Sequence, residues 1–376
     1  MNLAWRDIRH NLGRFVLTCL GLSLLLGVVL SMIGIYRGLV DDALVLLQTP
    51  RAQLWVVESD TRGPFAESSR IPGLARDAMA RLYGITAAGA VTYQSVELDH
   101  EGRRQRLYVV GYELGRPGGP EQIVTGRPIA RAHYELVADQ RTGLEPGDRV
   151  RLGKKDFTVV GLTANQVDSG GNPVAYMTLR DAQELQFELQ GAVARNYAIR
   201  GALPDINTIN AVVARVTPDL PVETVAAAAR NWKHLSVLTQ AEQEALLLES
   251  VVEKARRQIG LFTAILLAVS AVIIALIIYT MTMDKTREIA TLKLIGAPDR
   301  KIAGLIVQQA LAMGVIGFAL GAVLIASVAD HFPRRVILQP ADGLALGAVV
   351  VLVCLLASVL GLRLALRIDP AQALGG

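Results

Sequence analysis

This sequence is short of cysteine, of aromatic residues and, over four long stretches, of any charge: it has two cysteines in 376 residues and 5% aromatics. Both cysteines, Cys19 and Cys354, fall inside uncharged stretches. That excludes a disulfide framework in a soluble part and gives no Cys pair for a metal. Neither H-E-x-x-H nor an acidic calcium loop occurs, and the five histidines, His10, His100, His133, His234 and His331, are scattered, so no metal centre is expected. A G-x-x-x-x-G-K-S/T phosphate loop is also missing. Basic residues outside the membrane lack the aromatic interleaving of nucleic-acid readers, and the apolar stretches carry no charged residue to mark an ion path. These absences point away from an enzyme, a nucleic-acid binder and a secondary transporter. No cofactor is expected in this chain.

What the sequence has in plenty is apolar length. Phe15 to Tyr36, Ile259 to Met283, Ile302 to Val328 and Leu344 to Leu362 contain no Asp, Glu, Lys or Arg. At about 19 to 27 residues each, they meet the need for about 20 apolar residues to cross a bilayer. Arg6, Arg9 and Arg14 before the first block suit a signal peptide, but the run is too long and "SMIGIYRGLVDD" leads on into helical pattern, so a retained span is expected. The chain reads as a membrane protein with four transmembrane helices, in contact with lipid.

Four spans place both termini on one side, together with the loop from Asp284 to Lys301. That side carries Arg6, Arg9, Arg14, five basic residues of the loop, Arg363 and Arg367, against Arg334 and Arg335 in the opposite short loop. The positive-inside rule then makes both termini cytoplasmic. Arg37, Lys254, Arg256 and Arg257 lie on the other side, within a long translocated segment where the rule has less force. The expected segments are 1–14 as a cytoplasmic amphipathic helix, 15–36 as the first span and 37–258 as an extracytoplasmic domain. They continue with 259–283, a cytoplasmic loop 284–301, 302–328, a short outer loop 329–343, 344–362 and a tail 363–376.

The outer segment, about 220 residues, is large enough for a core of its own. Strands are expected at Leu54–Val57, Val91–Leu98, Leu107–Tyr112, Arg149–Leu152, Phe157–Leu162 and Tyr197–Arg200, with "DHEG" and "GKKD" as turns. Helices are expected at Leu74–Tyr83 and, entered through Pro204 and Asp205, at Ile206–Val216. The fold class is therefore a four-helix membrane protein with a large extracytoplasmic α+β domain between the first and second spans, carried on helical stalks. Thr239 and Glu242 fit a capping box that opens a run through Met283 with no proline. About 45 residues at 1.5 Å make roughly 67 Å, twice the hydrocarbon thickness. With "GLVDDALVLLQ" continuing the first span, Leu44, Leu47, Leu246, Leu247 and Val251 are expected to pack two stalks together and transmit movement.

The loop "DKTREIATLKLIGAPDRK" places Ile289, Leu292 and Gly296 on one helical face, with Gly296 and Pro298 as a stop. By itself a basic loop between spans can serve topology alone. Its residues say more. "REIATLKLIGAPDRKIAGLIVQQALAMGVIGFALG" (Arg287 to Gly321) closely resembles FtsX-like, MacB-type ABC transporter permeases, the group that includes MacB and LolC/LolE. "LAWRDIRHNLGRFVLTCLGLSLLLGVVL" resembles the family's amphipathic N-terminal helix and first span, "GLEPGDRVRLGKKDFTVVGL" a hairpin of its MacB-type periplasmic core domain, and "RIDPAQAL" its tail. Many relatives have Glu where Gln309 stands; Gln308 and Gln309 are instead expected to hydrogen-bond between helices. The spacings Gly317/Gly321 and Gly343/Gly347 are read as helix packing.

The resemblance implies a permease subunit in the cell (inner) membrane, assembled as a homodimer or heterodimer with a cytoplasmic ABC ATPase dimer. ATP and Mg belong to that separate ATPase, since this chain lacks a phosphate loop. Arg287, Glu288, Ile289, Leu292, Lys293 and Gly296 are then the ATPase-coupling residues. Closure of the motor drives export or extrusion by mechanotransmission, with a periplasmic adaptor and an outer-membrane duct as possible partners. The alternative is a force relay that activates an extracytoplasmic partner such as a cell-wall hydrolase.

Overall fold

The structure is a computed structural model and describes residues 12–65, 67–100, 102–189, 207–232, 234–284, 286–295, 298–332 and 334–367. The chain divides into two compact units, Met1–Gly38 with Ala255–Gly376, and Leu39–Lys254. The expected strand Tyr197–Arg200, the N-terminal helix up to Asn11 and the tail beyond Arg367 lie outside the described residues.

The first unit holds helices long and apolar enough to cross a membrane, and four such helices occur among the described residues. They are α1 (Leu12–Gln48, shared with the second unit), α6 (Glu253–Asp284), α8 (Asp299–Val328) and α9 (Pro340–Arg367). All four expected spans fall inside them. Leu22 and Leu26 of α1, Ile274 and Ile278 of α6, Ile306 of α8 and Cys354 of α9 share one buried cluster. Close approach depends on glycine, because lipid tails supply no hydrophobic drive for helices to associate. A Cβ on Gly321 would lie 2.5 Å from the Ser23 carbonyl oxygen, one on Gly317 2.9 Å from Leu22, and one on Gly314 2.4 Å from Cys354 Sγ. The Gly317/Gly321 spacing therefore seats α8 against α1 of the same chain. Gly343 faces open space.

The second unit is built on a ten-stranded sheet. Its strands are β1 (Leu54–Glu58), β3 (Ile85–His100), β4 (Arg103–Tyr112), β5 (Thr125–Gly126), β6 (Glu135–Asp139), β7 (Arg149–Leu152), β8 (Lys155–Thr163), β9 (Val174–Thr178), β11 (Ala211–Val216) and β12 (Leu235–Thr239). Their order is β12-β1-β11-β3-β4-β9-β6-β8-β5, with β7 on β8. The two-residue strands β2 (Ile71–Pro72) and β10 (Thr208–Ile209) pair separately. Long β3 joins the two halves: Ile85 to Val91 pairs with β11, and Val91 to His100 pairs with β4. Helices α2 (Leu74–Ala80) and α4 (Val222–Ala229) cover one half through Met79 and Val225, and α3 (Leu179–Leu189) covers the other through Leu185. On the opposite face a single core runs across both halves.

The five expected strands that fall within the described residues are present, four of them longer than expected. "GKKD" closes β7 onto β8 with Leu152 opposite Lys155, Gly153 taking φ +63°. Where a helix is expected over Ile206–Val216, the described residues form the strands β10 and β11. Five of the six residues of β11 are buried, and its Val-rich run sits between β1 and β3, so both faces are covered and no alternation marks it. The short buried strands β6 and β9 escape sequence reading for the same reason.

Polar groups inside this sheet are met by side chains. Asn210 accepts the Tyr93 amide at 2.9 Å and the Thr92 hydroxyl at 2.5 Å, and donates to the Ser69 carbonyl at 2.6 Å. Asn210→Ala should cost about 2 to 4 kcal/mol, since each stranded buried group costs about 1 to 3 kcal/mol, and thermal unfolding of the purified chain measures it. Buried Glu135 accepts from Arg127 and from the amides of Ala130 and Arg131 at 2.8 and 3.0 Å. The Arg127 guanidinium and those amides outweigh burial and hold its pKa at about 2, below 4.5. This stabilisation is full above pH 4.5 and is lost as pH falls toward 2. In Glu135→Gln, the fall in midpoint across that window should shrink.

Candidate coupling site and transmission elements

Between α6 and α8 lies a short helix, α7 (Thr286–Leu294). The Thr286 hydroxyl donates to the Met283 carbonyl at 2.5 Å at its start. Its C-terminal turn closes with the Ile295 amide on the Thr291 carbonyl at 3.1 Å, and α8 begins after extended Pro298. The stop expected at Gly296–Pro298 is thus where the helix ends; Gly296 itself lies outside the described residues.

The side chains of Arg287, Glu288, Leu292 and Lys293 likewise lie outside the described residues; their backbone is helical. Ile289 is buried, 3% exposed, in the cluster with Ile278, Ile302 and Ile306, and Ala290 beside it is fully buried. Ile289 was expected on the coupling surface; here it anchors α7 to the spans, because an apolar side chain in the middle of a short amphipathic helix finds the nearest apolar neighbours. Among the described side chains of this segment, Leu294 and Ile295 are exposed apolar residues, 61% and 84% exposed. Sequence reasoning missed both, although "KLIG" places two large aliphatics directly before a helix stop. Along α8, Gln309 is buried and Gln308 exposed.

At the other end of the same unit, Arg37 forms a two-pronged ion pair with Asp342, one arm at 2.6 Å. The segment between α8 and α9 runs against α1: the Ile337 amide donates to the Gly34 carbonyl at 3.1 Å. A Cβ on Gly34 would lie 2.6 Å from Val336, and one on Gly38 1.9 Å from the Arg335 carbonyl oxygen. Gly34 and Gly38 thus form a cradle for an extended segment, a use of the G-x-x-x-G spacing that periodicity does not reveal.

The stalk residues divide. Leu47 is fully buried in the core beneath the sheet with Trp55, Val137 and Tyr176, and Leu44 packs on that core. The first stalk is therefore part of the large domain, because the open sheet face needs an apolar cover. Thr239 caps α5 (Gln240–Leu247) with the expected reciprocal box: the Glu242 amide donates to Thr239 Oγ1 at 3.3 Å, and the Thr239 amide donates to Glu242 Oε2 at 2.8 Å. Leu247 is fully buried, Leu246 half-buried, and the Val251 side chain lies outside the described residues. Gln48 reaches Glu244 at 3.4 Å. Between α5 and α6, Leu248–Val252 is a π-helical turn, so the expected uniform helix carries a local change of register.

The MacB-like periplasmic core domain family matches residues 15–232, and the FtsX-like permease C-terminal family matches residues 260–370. The chain is 25% identical over 374 residues to an uncharacterised ABC transporter permease of Mycobacterium tuberculosis, covering 99% of each. It is 22% identical over 384 residues to a Staphylococcus haemolyticus protein named as a hemin transport system permease, HrtB, covering 100% of this chain and 99% of that one. Among solved structures, the periplasmic region of MacB from Actinobacillus actinomycetemcomitans is similar at 12% identity and TM-score 0.34, covering 51% of this chain and 91% of that one. The extracellular domain of the transporter YknZ from Gram-positive bacteria gives 13% and 0.33, covering 50% and 98%. The chain belongs to the FtsX-like ABC transporter permeases that carry a MacB-like periplasmic core domain, and it is a multi-pass membrane protein.

The glycine cradle and the ion pair can be separated experimentally. Gly38→Val should cost more than about 1 to 3 kcal/mol, as overpacking against backbone does. Asp342→Asn should cost less than Gly38→Val, because the Arg37 side chain is 37% exposed and solvent screens the pair. Thermal unfolding of both variants in detergent checks the order.

Proposed function

We propose that this permease works with a separate cytoplasmic ATPase dimer, which binds ATP and Mg, and that two permease chains, identical or homologous, complete the assembly. The position of α7 carries the reading: it is pinned at Ile289 and Ala290 to the spans and presents Leu294 and Ile295 outward. A helix held in this way passes a push at its exposed end to the spans instead of yielding to it. Arg287, Glu288 and Lys293 supply charge for register with the motor, and Leu292 and Gly296 belong to the same contact. The excess of Lys and Arg on the α7 side supports cytoplasmic termini.

Closure of the motor would then move α1 and α6, whose outer ends continue into the large domain, and extrude a substrate from that domain by mechanotransmission. Support for transmission comes from Leu44 and Leu47, which pack in the domain core; Leu246, Leu247 and Val251 are assigned to the second stalk. Similarity to a relative named for hemin transport makes haem one substrate to test; an adaptor and an outer-membrane duct are further partners to look for.

The test is affinity purification from native membranes in mild detergent with an ATPase assay. A stoichiometric phosphate-loop ATPase is expected with the wild type. Leu294→Asp with Ile295→Asp, and separately Glu288→Lys with Leu292→Asp, should each cut its recovery at least ten-fold while membrane insertion is unchanged. Full recovery with both pairs would remove α7 from the motor contact.

A further inference from the structure

Charge is distributed unevenly between the two ends of the spans. The segments that flank the spans at the end carrying α7, namely 1–14, 284–301 and 363–376, hold ten Lys and Arg against five Asp and Glu. Were every one of those acids paired with a base, five cations would still have no counter-charge within these segments. The loop at the opposite end, 329–343, is balanced, with Arg334 and Arg335 against Asp330 and Asp342. Asp342 is moreover bonded to Arg37.

Among the described side chains of these segments the cations are Arg300, Lys301 and Arg363, all exposed. Lys301 is the last charged residue before the apolar run of α8, and Arg363 is the first after that of α9. The two helices pack antiparallel: a Cβ on Gly314 would meet Cys354 and Val350, and one on Gly347 would meet Phe318. Continued along both helices, that register brings Lys301 level with the turn that holds Arg363. Each cation also ends an exposed apolar face. Arg363 follows Val349, Leu352, Leu356 and Val359 at intervals of three and four, and Lys301 shares the face of Val315 and Val323. In a chain that crosses the membrane such faces meet acyl chains, and a long basic side chain at their end carries its charge to the headgroup level.

We propose that Arg300, Lys301 and Arg363 form a belt that binds the phosphate headgroups of anionic phospholipids, whose acyl chains lie along the exposed faces of α8 and α9. A phosphodiester at this level supplies the counter-charge that the flanking segments lack. A zwitterionic headgroup brings its own cation and supplies much less. An acidic protein surface could meet the three charges but not the apolar faces that lead up to them, which favours lipid over the motor as the occupant. This goes beyond the permease reading: binding needs neither the ATPase nor a transport step, so either can fail without the other.

The test uses the full chain in non-ionic detergent, without ATPase, titrated with phosphatidylglycerol or with phosphatidylcholine of the same acyl chains and followed by native mass spectrometry. Phosphatidylglycerol is expected to bind at least ten-fold more tightly, since each basic residue near anionic lipid contributes about five-fold. The triple variant Arg300→Gln, Lys301→Gln, Arg363→Gln should lose that preference with an unchanged thermal midpoint, all three positions being exposed. Arg300→Lys with Arg363→Lys should keep it, and Arg334→Gln with Arg335→Gln, at the opposite end, should leave it unaltered. Inorganic phosphate, compared with chloride at matched ionic strength, should not displace the lipid, because it has no acyl chains to bury. Equal binding of the two lipids, equal loss in the Arg334 and Arg335 pair, or displacement by phosphate would each overturn the proposal. So would a preference retained in the triple variant; loss of a second copy from its spectra, or of the ATPase on purification, would then assign the belt to a protein.

Discussion

The end of the first long helix is buried where the sheet needs it. Leu46 and Leu47 lie in one core with Trp55, Val137 and Tyr176, all at most 5% exposed. A ten-stranded sheet with helices on one face has a second apolar face that must leave water. Two leucines supply part of that cover, each contributing about 1.5 to 3 kcal/mol when fully buried. Leu22 and Leu26, earlier in the same helix, are buried among the spans. One helix is thus a structural member of both units.

The organisation of the large domain follows from the length of β3. Sixteen residues allow it to pair with β11 at one end and β4 at the other, so a single sheet carries two cores on one face and one on the opposite face. Where the partner on one edge runs out, at Val91 to Tyr93, the backbone would be left with an unpaired amide. Asn210 fills that place with its side chain, which is why a polar residue is buried between β10 and β11.

Glycine has a different function in the two units. Among the spans it lets helix backbones or an extended segment come within contact distance, at Gly314, Gly317 and Gly321 and again at Gly34 and Gly38. In the sheet domain it serves turns that need positive φ, as at Gly153. Gly89 is of the first kind although it lies in a strand, since a Cβ there would meet the Pro117 carbonyl oxygen at 2.0 Å.

Much of this molecule was legible from local sequence. The four spans, the Thr239 cap, the hairpin at "GKKD" and the stop after α7 follow from transfer free energy over about 20 residues, or from backbone preferences of a few, and both are properties of the segment alone. The buried strands β6, β9 and β11 were not legible, and β11 was read as helix, because a run covered on both faces loses the alternation that marks a strand. Nor could the sequence show that Ile289 anchors α7 while Leu294 and Ile295 remain exposed, or that Leu47 belongs under the sheet. Composition and periodicity determined which segments are apolar and helical. Which neighbour covers each apolar face depends on residues far apart in the chain, and only tertiary packing decided it.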